Sequence, residues 1–113
     1  MANSLNGIIY AVSSVIADGE LRFAADILSE GFHAARKLAI GMQDAQYVPL
    51  SKLAATFAEA EGLILSGAEL EDEAIKVLNS IREGIEPLLL PSQIDYIEKA
   101  MREVYDPHLG IHY

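Results

Sequence analysis

The chain has 113 residues, carries 17 Asp and Glu against eight Lys and Arg, and holds no cysteine. That length leaves room for one hydrophobic core, and a formal charge of −9 works against a nucleic-acid backbone as partner, because displacing phosphate counterions needs clustered cations. The missing cysteine excludes disulfide and thiolate chemistry.

The mean hydropathy is +0.21, yet no apolar run approaches the roughly 20 residues of a membrane-spanning helix. No contact with a membrane is therefore expected. The first basic residue is Arg22, so the N-terminus lacks the positive flank of a secretory signal. A cytoplasmic location is expected. Half of the chain being hydrophobic (51%) predicts more apolar surface than one small core hides, and hence a homo-oligomer or a protein partner.

Five helical segments follow one another. The first spans 4–17, with Leu5, Ile8, Ile9, Val12, Val15 and Ile16 on one face at spacings of three and four, and Asp18-Gly19 as its stop. The second spans 20–40 and ends at Gly41, with Leu21, Ala24, Leu28, Phe32, Ala35 and Ala39 facing inward. Gly31 inside it costs about 1 kcal/mol relative to Ala, which predicts a kink or a close helix contact there.

"MQDAQYV" is the longest irregular connection. Pro49 suits the first turn of a third helix, where its missing N–H has no intrahelical partner in any case. Leu50, Leu53, Ala54, Phe57, Ala60 and Ile64 form that helix's stripe, and Ser66-Gly67 ends it. The fourth helix starts in the acidic "AELEDEA", carries Leu70, Ala74, Val77, Leu78, Ile81 and Ile85, and ends before Pro87. The fifth opens at Pro91-Ser92, with Ser92 as the expected N-cap. It carries Ile94, Ile97, Met101, Val104 and Tyr105 and closes at Asp106-Pro107, leaving 106–113 as a loosely docked tail.

No segment alternates with period two, so no sheet is expected. Short connections between helices favour antiparallel neighbours. The predicted fold is a single all-α domain over 1–113: an antiparallel up-and-down helical bundle of four main helices plus one additional helix.

Candidate chemistry centres on "GFHAARKLAIG" (31–41). At 100° per residue His33 falls in the middle of the second helix's polar face, with Asp26, Ser29, Glu30, Arg36 and Lys37 at helical spacing. An exposed imidazole with Glu30 behind it and two cations ahead is expected.

The run "H-A-A-R-K" resembles the "H-x-x-K-G" signature of the histidine phosphotransfer (HPt) family. The later run "PLSKLAATFAEAEGLILSGAEL" is similar to the helix and turn that follow it in many such domains. The likeness covers roughly residues 21–90. It implies a four-helix bundle, His33 as phosphoacceptor, Arg36 and Lys37 as cations beside the phosphoryl oxygens, and a response-regulator receiver as partner. The chain departs from the family pattern at Lys37, which stands where the family has a small residue. It departs again in the following loop, where only Gly41 remains of a Gly-rich sequence.

Other polar residues are set against plainer readings. Glu61 projects at nearly the angle of Leu50, Ala54 and Phe57, so it is either a carboxylate in the apolar stripe that contacts a pocket or subunit interface, or a residue where the helix emerges. Glu69 and Asp72 have the E-x-x-D spacing of half a metal site in all-α NTP pyrophosphohydrolases, but the other half, E-x-x-E, is absent. Acidic residues also suit a first helical turn. His108 and His112 are four apart, but Pro107 and Gly110 argue against a helix there. No metal and no cofactor are expected.

The function expected from these residues is a small non-catalytic interaction or adaptor module. Its docking surface is apolar area on the first or last helix, represented by Ile9 and Met101 and rimmed by acidic groups such as Glu30 and Glu61. Phosphotransfer through His33 is the alternative.

Overall fold

A computed structural model describes residues 4–41 and 45–108, and within them the chain is all-helical. The order is α1 (Asn6–Ala17), α2 (Leu21–Ile40), α3 (Tyr47–Leu65), α4 (Glu71–Gly84), a 3-10 turn (Glu86–Leu88) and α5 (Pro91–His108). None of these helices is long and apolar enough to cross a membrane.

The helix boundaries follow from local chemistry. After α1, Gly19 takes φ +84°, a left-handed conformation in which glycine meets no Cβ penalty. Its N–H donates to the Ile16 carbonyl (3.0 Å) and the Glu20 N–H donates to Val15 (3.2 Å). These are the two reversed bonds of a Schellman stop.

At the other end of the chain the start of α5 differs from expectation. Pro91 is already helical, so Ser92 is not the cap. Instead the side-chain Oε1 of Gln93 accepts the Leu90 N–H at 2.9 Å, the backward-reaching half of a capping box. Helix α5 also runs past Asp106 and includes Pro107 in its last turn, and ahead of that turn Arg102 pairs with Glu98 (2.9 Å) and reaches forward to Asp106 (3.9 Å), both at i,i+4 spacing. Of the expected tail, 109–113 lies outside the described residues, and the His108/His112 pair with it.

Packing is organised around α2. Its buried residues are Ala24, Ala25, Ile27, Leu28, Gly31, Ala34, Ala35 and Ala39, and all but Ile27 and Leu28 are small, which lets neighbouring helices come close. At Gly31 an added Cβ would stand 2.9 Å from the Met101 sulfur and 3.0 Å from the Phe57 ring. The close contact predicted for this glycine is therefore made by α3 and α5 together. Helices α2 and α3 are antiparallel: Gly31 meets Phe57 near mid-length, while Ile40 and Tyr47 flank one groove at the end where the chain turns.

Helix α1 closes the bundle against α2 and α4. The Leu5 N–H, just ahead of α1, donates to Glu86 Oε2 at 3.2 Å, which places the start of α1 beside the end of α4. The extents of 38 × 37 × 22 Å correspond to two layers of helices, each about 10–12 Å thick. The radius of gyration, 13.4 Å, is that of a single compact domain, about 13 Å at this length.

The core contains every apolar residue assigned to the face of α1, and also Leu50, Leu53, Phe57, Leu78, Ile81, Ile97 and Met101. Ile9 (5% exposed) and Met101 (0%) belong to it. Both were expected on a docking face. The periodicity places them correctly on the apolar stripes, but those stripes are used up inside the bundle.

Candidate functional site

Three of the eight exposed large apolar residues among those described lie where α2 hands over to α3. Ile40 is 72% exposed, Val48 59% and Tyr47 49%. Between the helices they border runs a groove of about 330 Å³, lined by Phe32, Arg36, Ala39 and Ile40 from α2 and by Tyr47, Ser51, Ala54 and Ala55 from α3. Ala39 and Ala54 are buried and form its floor. Two alanines facing each other across an antiparallel helix pair leave the volume that larger side chains would fill, and this is why a groove exists here.

His33 stands on the outer flank of the same groove. It is exposed, and its ring meets the Phe32 ring edge-on, with centroids 5.2 Å apart and planes at 67°. Along that flank His33, Lys37 and Ile40 succeed one another at i, i+4 and i+7. Val48, Lys52 and Ala55 do the same on the α3 side, and all six are exposed. Arg36 lies between, on the groove itself. Arg36 is the cation that lines the groove, and Lys37 and Lys52 stand exposed on the same two helices, in a chain of net charge −9.

The remaining sequence candidates separate. Glu30 is exposed on α2, and no ion pair joins it to His33, Arg36 or Lys37 among the described residues. Glu61 is half-exposed between buried Ala60 and Ile64, so the carboxylate emerges at the edge of the stripe and not inside it. Glu69 precedes α4 with a left-handed φ of 58°. Glu69 and Asp72 are therefore not a pair on one helix, and no group of metal-ligating side chains forms among the described residues.

The surface on which Ile40, Tyr47 and Val48 come together went unrecognised in the sequence. A signal was present, since Ile40 lies off the inner stripe of α2 and Tyr47 and Val48 precede that of α3. Three large apolar residues with no place on a core face flank one connection. Comparison of the chain with known protein families, with curated proteins and with solved structures finds no match in any of the three.

Proposed function

We propose that the chain is a non-catalytic interaction module that docks an acidic amphipathic helix of a partner protein in the α2–α3 groove. The observation that carries this reading is a largely apolar groove lined by Arg36 and by no acid, with Lys37 and Lys52 exposed on the same helices of an otherwise acidic chain. Helix-in-groove recognition uses apolar anchors spaced at i, i+3 or i+4 and i+7 along the ligand, and a row formed by Ile40, Phe32 and Tyr47 offers them a surface. Arg36, Lys37 and Lys52 supply charge complementarity, which sets orientation and association rate.

The same cations disfavour a twofold contact centred on this groove. Such a contact brings like patches together, and here three cations would meet three cations. The cysteine-free chain suits a cytoplasmic setting for such a module.

The test uses a synthetic amphipathic helix with Leu anchors and Glu flanks, beside a peptide of the same anchors with Lys flanks. The Glu peptide shifts amide resonances in 32–40 and 47–55, and Val48→Glu or Arg36→Glu weakens its binding by about tenfold. Equal binding of both peptides, or of neither, would reject the reading.

A second reading, phosphotransfer, rests on His33 standing exposed on a helix with Arg36 and Lys37 one turn ahead. In that reaction an imidazole nitrogen attacks the phosphorus of a receiver's aspartyl phosphate. The P–O bond breaks, and the carboxylate leaves with the electron pair. It predicts an acid-labile phosphohistidine that His33→Gln abolishes, whereas docking of the Glu peptide survives that substitution. The two readings therefore separate on one variant.

A further inference from the structure

Helix α3 is apolar on two sides. Of its 19 residues only Lys52, Glu59 and Glu61 carry charge, and its inner stripe from Leu50 to Ile64 is taken up by the core. A helix that is hydrophobic all round is ordinarily buried all round, yet the outer side of α3 faces solvent. There Val48, Ser51, Ala55, Ala58, Gly62 and Leu65 follow one another at alternating spacings of three and four, the seam spacing of a coiled coil. All are exposed except Ser51, which is half-buried. We propose that this seam binds a second copy of the chain, α3 against α3, in an antiparallel twofold contact.

Shape fits that arrangement. An axis level with Thr56 and Phe57 sets Val48 beside Leu65 of the second copy, Ser51 beside Gly62, and Ala55 beside Ala58, each pair occurring twice. The two large apolar residues of the seam, Val48 (59% exposed) and Leu65 (53%), therefore cover each other at both ends. Between them the side chains are small. A Cβ added at Gly62 meets nothing within 4 Å, so nothing within the chain obstructs a close approach of the two backbones.

Charge fixes the direction. Lys52 and Glu59 are exposed on one flank of the seam, each one position beyond a seam residue, Ser51 and Ala58. In the antiparallel register Lys52 meets Glu59 of the second copy, twice. A parallel pair would instead set Lys52 level with Lys52 and Glu59 level with Glu59. Opposite charges flanking a seam select partner and orientation, and neither residue is engaged in an ion pair among the described residues.

This contact is not centred on the groove. Its axis lies beyond Ala55, the last groove residue on α3, so the basic end of α3 meets the acidic end of the second copy and not itself. Ser51 and Ala55 belong to both the seam and the groove wall, so a second copy and a docked helix exclude each other. That competition rests on the docking reading, whereas the dimer does not. Six seam residues are fewer than the roughly 20–30 a side of a standard interface, which predicts a transient dimer with Kd on the order of 100 µM.

Sedimentation equilibrium of the full chain, from about 10 µM to about 1 mM, tests the dimer. The weight-average mass is expected to rise from 12.3 kDa toward twice that value. Lys52→Glu and Glu59→Lys each set like charges together at both pairs and are expected to weaken association about tenfold. The variant carrying both exchanges restores it, because opposite charges meet again. Gly62→Lys places a long cation where the backbones approach and abolishes association. Lysine is the better helix former, so the monomer keeps its helicity by circular dichroism.

A mass that stays at 12.3 kDa across that range overturns the proposal. So does a double variant that associates no better than the single ones, or a Gly62→Lys protein that associates like the parent. Association is measured without peptide and decides the dimer alone. Binding of the Glu peptide to monomeric Gly62→Lys, whose groove lining is intact, decides docking.

Discussion

Gly31 of α2 lies against Met101 of α5 so closely that a Cβ on the glycine would stand 2.9 Å from the methionine sulfur, with the Phe57 ring of α3 at 3.0 Å on the same side. Met101 and Phe57 are both fully buried. Three helices therefore converge on a position that has no side chain of its own.

Gly31→Ala tests that convergence. Helix propensity alone favours Ala by about 1 kcal/mol, whereas forcing a methyl into a filled core costs about 1–3 kcal/mol. The net expectation is a loss of about 1 kcal/mol in urea unfolding, and a larger loss for Gly31→Val. A stabilised Gly31→Ala would show that the three helices have room to spread.

Ile9→Asp and Met101→Asp are expected to unfold the protein, not to release a partner. Both side chains sit in the core, at 5% and 0% exposure, and a carboxylate buried there without a partner belongs to the class of substitutions costing more than about 4 kcal/mol. Circular dichroism decides between the two outcomes, since loss of binding with full helicity would put these residues back on a surface.

Glu86→Ala removes the acceptor for the Leu5 N–H. A charge-assisted bond at the start of α1 is lost, along with a favourable carboxylate at that helix's positive end. The expected cost is about 1–2 kcal/mol. Faster amide exchange should be confined to the first turn of α1, and uniform acceleration over all five helices would point to a different role.

His33→Gln should leave stability within about 0.5 kcal/mol of the parent, as befits an exposed side chain with no hydrogen bond or ion pair among the described residues. Glu61→Gln should behave alike, because its carboxylate stands at the edge of α3's apolar stripe. A thermal melt of each checks this. The result matters because it makes His33→Gln a clean probe of phosphotransfer, in which lost labelling cannot be ascribed to unfolding.

Much of the architecture was legible in the chain. Apolar residues at three- and four-residue spacings placed five helices, and glycines or prolines near their ends set boundaries to within a few positions. Ser92 is an informative miss. Two capping chemistries compete at "LPSQ", and Pro91, pre-organised for the first helical position, starts the helix two residues before a serine cap would. The site was less legible. His33 could be placed on an exposed flank by angle alone, but the groove beside it joins residues from two helices whose relative depth no periodicity records.

The sequence by itself determined that these residues build helices, and which side of each helix turns inward, because those properties are local or follow from angles about a single axis. Only the tertiary structure decided how much of each apolar face finds a partner. Ile9 and Met101 vanish into the core, while Ile40, Tyr47 and Val48 are left bordering a groove floored by Ala39 and Ala54. Whether an apolar side chain is buried depends on which helix comes to lie across it and how closely. That distance is set by side-chain volumes meeting from distant parts of the chain, as at Gly31, Phe57 and Met101.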